Sequence, residues 1–295
     1  MLGPLETHAL CAVLILLDQA ARALRIRLLG GALGHPLRFR DAFVTNVIGD
    51  AACAVTPLRI AGEPARLASL LRFGVPATAS FVAIAFEVIT MWPVVITCAL
   101  VLGIWSAPEW IQQTAPVVAA GLARTWGWLA LAAVVSALLW ILVRRRVHIA
   151  PRLIQRPWGR VRIYWRRMPR GKLIASSALG FVNLASRTAI LPVLMTQLPD
   201  PPPLGPAILG SFALLYSQLA LPTPSGAGVV DLGLLAGAAG SAGERGVELL
   251  IWWRFYTTFV GVALGGWFAV REFGWGAVRG VFNWRIGRSP VTSDQ

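Results

Sequence analysis

The sequence contains few charged residues, few histidines and few cysteines, and each shortage excludes a class of protein. Only 14% of its 295 residues are charged and 56% are hydrophobic, whereas soluble domains carry about 25% charged residues. The three histidines stand far apart and outside any H-E-x-x-H motif, so we expect no metal site and no cofactor. The three cysteines lie in apolar stretches without a C-x-x-C pair, which favours packing over a disulfide. This composition is typical of an integral membrane protein.

Motifs of common enzymes are also missing. The sequence has no G-x-S-x-G, no S-x-x-K and no P-loop, and nothing in it resembles a nucleophile with its base. Gly226 and Gly228 begin a G-x-G-x-x-G pattern, but Asp231 takes its last position and no strand is predicted before it. We therefore expect neither nucleotide binding nor enzymatic activity.

Acidic residues are scarce relative to basic ones, which gives the chain a net charge of +14. The stretch Arg144–Lys172 alone contains eleven Lys and Arg residues and no Asp or Glu. Its interleaved aromatic residues would suit nucleic-acid binding, but apolar segments flank the stretch closely on both sides. The positive-inside rule then favours a cytoplasmic loop whose arginines contact anionic lipid headgroups. No nucleic acid is expected as a partner.

Long apolar runs predict the membrane-spanning helices. About 20 apolar residues cross the hydrocarbon core, and four segments reach or approach this length: Ala77–Trp105, Thr125–Val143, Leu173–Leu198 and Gly246–Val270. Residues 5–24 predict a short first membrane helix; a signal peptide is the weaker alternative, because this start carries Glu6 and no basic n-region. The prediction is an all-α, polytopic membrane protein with a single membrane domain over residues 1–295.

Two further apolar segments, 41–72 and 206–240, are interrupted by proline and glycine. Each uninterrupted half is too short to span a membrane alone. Non-helical backbone at membrane depth is tolerated where protein buries it or where it lines a wet cavity. Each segment therefore predicts a re-entrant hairpin of two half-helices, and the residues at the breaks are Pro57, Gly62, Pro64, Pro222, Pro224, Gly226 and Gly228.

The two broken segments repeat a pattern. Thr56-Pro57 recurs as Thr223-Pro224, 167 positions later, and the next charges within the apolar runs, Glu87 and Arg254, have the same offset. The lengths of the segments and the spans that follow them also agree. This predicts an internal duplication, with the repeats at about 41–105 and about 206–271.

The distribution of arginine predicts how these repeats are oriented. The positive-inside rule places Arg22–Arg40, the loop 144–172 and the tail 272–295 in the cytoplasm, and the N-terminus outside. The first hairpin then enters the membrane from the inside and the second from the outside. Inverted repeats of this kind are the architecture of many transporters, whose sites lie at the repeat interface. We expect the chain to lie in the cell membrane (plasma or inner membrane).

Charged residues near the breaks are candidates for binding a lipid headgroup. Glu63 and Asp231 follow the breaks, where a carboxylate either caps freed backbone amides or takes part in function. Arg254 within a span requires a partner or a wet cavity, and Glu87 and Asp231 are the candidate partners. Inverted repeats would bring both breaks to one central cavity. The candidate substrate-binding residues are Glu63, Arg66, Glu87, Asn183, Arg187, Asp231 and Arg254.

Simpler roles remain open for three of these residues. Arg66 lies three positions after Glu63 on one helical face, where an ion pair is common. Asn183 and Arg187 lie one helical turn apart, and both can simply pair between helices.

Both broken segments resemble a known membrane family. NVIGDAACAVTPLRIAGEPARLASLLRFGV is similar to the block N…P…GGEP.R…L…G, and LPTPSGAGVVDLGLL is similar to PTPGGxGxxE, of the lysylphosphatidylglycerol synthase transmembrane region, described as flippase-like. The resemblance covers nearly the whole chain. It assigns family positions to Gly62, Glu63, Pro64, Arg66, Pro222, Pro224, Gly226, Gly228 and Arg254. The sequence departs from the family at Asp231, where the pattern has Glu, and at Ser225, where it has Gly.

The resemblance implies an all-helical membrane protein that moves aminoacylated or glycosylated lipids between leaflets. The soluble aminoacyl-transferase domain of full-length synthases is absent from the sequence, so we expect no amino-acid transfer. The leading interpretation is a flippase for a lipid with an anionic or zwitterionic headgroup. The alternative is a non-transporting subunit that supports an envelope-lipid enzyme, with that enzyme or a second copy of the chain as partner. A flippase predicts polar residues around one lipid-accessible cavity, whereas a supporting subunit predicts locally paired charges and no cavity.

Overall fold

The computed structural model describes residues 3–56, 59–105, 161–166, 168–218, 223–242 and 245–282. Within these ranges the regular structure is entirely helical, which confirms the prediction of an all-α protein. In the part of the chain that the structure describes, three helices are long and apolar enough to cross a membrane: Ala77–Trp105, Arg170–Met195 and Gly246–Trp275. They correspond to three of the four predicted spans, and the fourth, Thr125–Val143, lies outside the described residues.

In chain order the helices are α1 (Pro4–Ala32), α2 (Phe39–Val55), α3 (Gly62–Arg72), α4 (Ala77–Trp105), α5 (161–166), α6 (Arg170–Met195), α7 (Leu204–Ser217), α8 (Val229–Ala242), α9 (Gly246–Arg254) and α10 (Val260–Phe282). A π-helical turn, Phe255–Phe259, joins α9 to α10 without a break. The predicted tail begins within α10, which kinks at Gly274 (φ 79°, ψ 161°). Most of the basic loop 144–172 and residues 283–295 lie outside the described residues, as do Pro57 and Pro222.

Helix α1 is longer than the sequence predicts. Its start is stabilised by Pro4 at the first position and by the Gly3 N–H, which donates to Glu6 Oε2 at 2.9 Å. The prediction ends this helix near residue 24, but the structure continues it to Ala32. Arg25 lies inside the helix with a buried side chain. The predicted end is wrong because the arginines here pair with neighbouring helices and do not begin a loop.

Both broken segments consist of two short helices around an irregular turn. In the first, Thr56 is extended (φ −109°, ψ 140°) and Arg59 has a φ of 57°. In the second, a 3₁₀ turn precedes α8, and Ser225, Gly226 and Gly228 have φ values of 50°, 68° and 86°. Left-handed backbone cannot continue a right-handed helix, so these residues end one helix before the next begins.

The order of a long helix, two short helices and a long helix occurs twice. Helices α1 to α4 form the first set, and α6, α7, α8 and the continuous α9–α10 form the second. Helix α3 begins at Gly62 and α8 at Val229, which is the same offset of 167 as between the Thr-Pro pairs. The first long helices, α1 and α6, begin at Pro4 and Arg170, 166 positions apart, so the recurring order of helices extends beyond the predicted bounds of 41–105 and 206–271.

The two halves pack through α1 against α6 and through α2 against α10. A core cluster of Cys11, Ile15, Ile190, Leu191 and Trp253 joins α1, α6 and α9. Helices α2 and α10 approach so closely that a Cβ on Gly265 would lie 2.0 Å from the Val47 carbonyl oxygen. The absent side chain at Gly265 therefore sets the distance between the halves.

Candidate functional site

A cavity of about 420 Å³ lies among α1, α2, α3, α4, α6 and α7. Its wall is unusually charged for a protein with this many apolar residues, since it includes five arginines and three carboxylates. Its charged lining residues are Arg22, Arg25, Asp50, Arg59, Glu63, Arg66, Glu87 and Arg187.

The arginine of α3 holds together one side of this wall. Arg66 Nη2 donates to Glu87 Oε2 on α4 and to Asn46 Oδ1 on α2, the latter at 3.1 Å. Its Nη1 lies 3.4 Å from both carboxylate oxygens of Glu63. The side chains of Arg66 and Glu87 are 7% and 6% exposed, whereas that of Glu63 is 53% exposed. Glu63 therefore lies at the mouth of the cavity and the other two in its interior.

Two arginines of α1 form a second part of the wall. Arg22 makes a two-fold contact with Asp50 on α2, in which Nη2 donates to Oδ1 at 2.7 Å and Nη1 to Oδ2. Gln19 Nε2 also donates to Oδ2, at 3.1 Å. Arg25 Nη2 donates to the Glu87 carbonyl oxygen at 2.6 Å, and its Nη1 lies 3.7 Å from Glu87 Oε1. These contacts bind α1 to α2 and α4 through charge.

Helices α1 and α6 contact each other through polar residues, and on each helix these residues are four positions apart. Asn183 Nδ2 donates to Asp18 Oδ1, and both side chains are buried. Four positions later on each helix stand Arg22 and Arg187, and both line the cavity. Arg187 Nη2 donates to the Thr257 carbonyl oxygen in the π-helical turn at 2.8 Å. Each half thus contributes arginine to the cavity from its first long helix, Arg22 and Arg25 from α1 and Arg187 from α6.

The second break is held by an ion pair of its own. Arg254 Nε donates to Asp231 Oδ1 at 2.6 Å, and its Nη1 donates to the Ser225 carbonyl oxygen at 2.9 Å. The other oxygen of Asp231 accepts from the Gly228 N–H at 2.9 Å, so this carboxylate caps α8. Neither Asp231 nor Arg254 lines the 420 Å³ cavity.

The two breaks contact each other. Ser225 Oγ donates to the Ala54 carbonyl oxygen at 3.3 Å, and Arg59 Nη1 donates to Gln218 Oε1 at 3.3 Å. A second, much smaller cavity adjoins this contact and shares Asp50, Arg59, Arg187 and Gln218 with the first. Ser225 lines the smaller cavity, which places the second break beside the site.

The candidate residues thus fall into two groups. The structure brings five of them to the larger cavity, Glu63, Arg66, Glu87, Asn183 and Arg187, and places Asp231 and Arg254 together at the second break.

Among the break residues, Gly62 and Gly226 lie where a larger residue would clash with a neighbouring side chain. A Cβ on Gly62 would lie 2.0 Å from Cys53 Sγ, and one on Gly226 would lie 2.6 Å from Val230 Cγ2. Gly228 has open space around it but a φ of 86°. Pro64 lies in the first turn of α3, and Pro224 begins the 3₁₀ turn.

Sequence reasoning missed the polar residues of α1 and α2 and the residues on both sides of the contact between the breaks: Asp18, Arg22, Arg25, Asp50, Arg59 and Gln218. One signal for the first three was available. Asp18, Arg22 and Arg25 are spaced i, i+4, i+7, which places them on one face of a single helix. No metal-binding cluster of His, Cys, Asp or Glu occurs among the residues that the structure describes.

Comparison with protein families supplies the context for this site. The family model of the lysylphosphatidylglycerol synthase TM region matches residues 4–265. The chain belongs to this family. The membership confirms the resemblance and, together with the three apolar helices, places the protein in a membrane and associates it with membrane lipids. No curated protein and no solved structure matches the chain.

Proposed function

We propose that the protein is a flippase-like transporter that moves a lipid with a polar headgroup, aminoacylated or glycosylated, between the leaflets of the plasma or inner membrane. In this proposal the chain carries out no amino-acid transfer, and the headgroup enters the 420 Å³ cavity while the acyl chains remain in the bilayer. The family supports a role connected with membrane lipids.

The observation that carries the proposal is a charged cavity that reaches the apolar surface. Val88 and Trp92 of α4 line the cavity, and they are 41% and 52% exposed. Helix α4 is apolar enough to span a membrane, and its exposed side chains face the surface that lipid would cover. A cavity with this wall accepts a polar headgroup and leaves a path for the tails between the helices.

We further propose that the two broken segments are re-entrant hairpins and that the halves are inverted repeats. The recurring helix order and the contact between the breaks support this arrangement, which is common in transporters. The test is single cysteines at Ser289 and within the turn 199–206, labelled in intact cells. Ser289 is expected to react from the cytoplasm and the turn from outside. Labelling of both positions from one side contradicts the inverted repeats.

Glu63, Arg66, Glu87, Asn183 and Arg187 are the proposed headgroup-binding residues. Glu63 suits first contact because its carboxylate is half exposed at the mouth and its contacts with Arg66 are long. Asp231 and Arg254 are proposed to act indirectly. They stabilise the second break, and Ser225 of that break lines the smaller, adjoining cavity.

Translocation in reconstituted liposomes tests the function. Fluorescent analogues of an aminoacylated lipid, a glycolipid and phosphatidylcholine are incorporated, and the outer leaflet is quenched with dithionite. We expect protein-dependent translocation of at least one of the first two lipids and an about tenfold loss in Glu63→Gln, equivalent to one charge-assisted hydrogen bond. Glu248→Gln is the matched control, because Glu248 is exposed in the first turn of α9.

The supporting-subunit hypothesis gives a different result. It predicts that the purified protein moves none of the three lipids and that Glu63→Gln changes nothing. It also predicts that the protein retains a partner enzyme during purification from the native membrane.

A further inference from the structure

Four side chains form the junction between the two cavities. Asp50, Arg59, Arg187 and Gln218 line both of them. The junction coincides with the contact between the breaks, since Arg59 belongs to the first break and Gln218 ends α7. It draws on both halves of the molecule.

Within the described residues, the two arginines of the junction form no close ion pair, although Asp50 interacts electrostatically with Arg187 from a greater distance. The carboxylates of Asp50, Glu63 and Glu87 are engaged by other arginines of the cavity wall. Arg187 and Arg59 donate to a backbone carbonyl and to an amide oxygen. These neutral acceptors satisfy N–H groups without offsetting charge. Among the residues that the structure describes, neither arginine lies within 4.0 Å of a carboxylate oxygen.

The cavity therefore carries an excess of positive charge. Its five arginines and three carboxylates give a formal charge of +2. Asp18 interacts electrostatically with Arg187 from behind the wall, and its inclusion leaves +1. Charge at membrane depth is costly unless an opposite charge or water accompanies it. An anion in the cavity would offset this cost.

Buried polar groups without a partner stand in the same wall. Gln218 and Thr188 are each 3% exposed, and within the described part of the chain Gln218 Nε2 and Thr188 Oγ1 have no hydrogen-bond partner. Arg187 Nε is also unpaired there. Buried donors are nearly always paired in native proteins. Rotation of an amide, a hydroxyl or a guanidinium by one rotamer step supplies these donors to a ligand in the cavity.

We propose that the junction binds a phosphate group, with Arg59 and Arg187 as charged donors, Gln218 as a neutral donor, and Thr188 of the larger cavity as a second neutral donor beside it. Guanidinium groups match phosphate oxygens in a two-fold geometry, and neutral donors add hydrogen bonds without further charge. A phosphodiester carries one negative charge, which fits a cavity with a surplus of one or two. Because this rests on the proposed function, the phosphate is that of the lipid headgroup, placed between the halves.

Binding to the purified full-length chain in detergent tests the site apart from transport. Three probes are titrated by calorimetry: dihexanoyl phosphatidylglycerol, inorganic phosphate, and dihexanoylglycerol, which lacks the phosphate. We expect the first to bind, and Arg187→Gln and Gln218→Leu to weaken it about tenfold or more. Arg245→Gln removes the same charge from an exposed position directly before α9, outside both cavities and the basic loop, and is expected to leave binding unchanged.

A further variant keeps the test valid if Gln218→Leu does not fold. Gln218→Glu has the same size but adds a negative charge, so it repels an oxyanion and is expected to bind the probe even more weakly. Its folding is checked by the melting temperature without probe. The inference is wrong if dihexanoylglycerol binds as well as the phospholipid, or if the variants at 187 and 218 bind the phospholipid as the wild type does.

The remaining outcomes separate this inference from the proposed function. Inorganic phosphate that binds through Arg187 and Gln218, while the phospholipid does not bind, supports a phosphate site but contradicts a lipid substrate. Lipid translocation in liposomes together with unchanged probe binding in Arg187→Gln supports the flippase and contradicts the phosphate site.

Discussion

An ion pair joins the second short helix to the next long helix in both halves, but the charges are exchanged. In the first half, Arg66 on α3 binds Glu87 on α4; in the second, Arg254 on α9 binds Asp231 on α8. Glu87 and Arg254 are separated by the repeat offset of 167. Both halves therefore have an ion pair between corresponding helices, but the acid and the base are on opposite sides of it.

The two pairs differ in what surrounds them. The first is buried and lines the large cavity, whereas Arg254 and Asp231 are 11% and 26% exposed and secure the second break through Ser225 and Gly228. Most charges of the cavity come from the first half, and the second half adds Arg187 and uncharged groups. Corresponding helices therefore differ in role. Those of the first half supply most of the charged cavity wall, and those of the second half stabilise the second break, which contacts the first.

The largest expected effect comes from breaking the buried pair. Arg66→Met leaves the carboxylate of Glu87 without its main partner, and losing one side of a buried ion pair costs about 3–5 kcal/mol. We expect a large fall in the melting temperature in detergent. The double variant Arg66→Met/Glu87→Met removes the orphaned carboxylate but also takes the acidic partner of Arg25, so it is expected to recover only part of the loss. A double variant no more stable than the single one would contradict this account.

The next effect concerns the seam between the halves. Gly265→Ala places a Cβ against the Val47 carbonyl, which cannot move away as a flexible side chain does. We expect a loss of about 1–3 kcal/mol or more from forced separation of α2 and α10. Gly266→Ala is the matched control, since its Cβ meets nothing within 4 Å and alanine favours a helix by up to about 1 kcal/mol. Equal melting temperatures for the two variants would show that the seam tolerates a wider spacing.

A smaller effect is expected at the second pair. Arg254→Ala removes hydrogen bonds to Asp231 and to the Ser225 carbonyl in a partly exposed setting, at a cost of about 1–3 kcal/mol. Translocation is expected to fall in parallel as the break loosens. Arg254→Lys restores one contact but cannot replace the several N–H donors of the guanidinium, so the melting temperature and translocation recover only partly. Loss of translocation at an unchanged melting temperature would instead make Arg254 a direct headgroup ligand.

The smallest effect is expected at the surface ion pairs that link the two halves. Glu272 on α10 contacts Arg40 at 2.9 Å and Arg72 at 3.6 Å, and both arginines are at least half exposed. Exposed pairs contribute about 0–1 kcal/mol and are screened by salt. Glu272→Gln should lower the melting temperature slightly at low salt and not at high salt. A large, salt-independent fall would mean that this link supports the fold.

Local rules were enough to predict the broken segments. Proline and glycine restrict the backbone of their own residues, so the pattern around Thr56 and Thr223 indicated both interruptions without knowledge of the fold. The apolar runs indicated three spans for the same reason, since length and composition are properties of one segment. The charge excess after residue 143 predicted the basic loop, most of which lies outside the described residues.

Pairing over long distances in the sequence was not predictable from local rules. The sequence predicts a helix end near Arg22 and Arg25 because charged residues usually lie outside the membrane, yet their partners Asp50 and Glu87 are 28 and 62 positions away. Arg59 and Gln218 are 159 positions apart in the sequence, and no pattern in either segment predicts their contact.

By itself, then, the sequence determined which segments are apolar, where they break and that the pattern recurs, because these follow from the chemistry of neighbouring residues. The tertiary structure alone decided which charges share a cavity. Desolvation makes an unpaired charge costly inside the protein, so each buried arginine takes the acceptor that packing brings within reach. Packing brought Glu87 to Arg66 and Asp231 to Arg254, and within the described part of the chain it left Arg59 and Arg187 at the junction without a carboxylate oxygen closer than 4.0 Å.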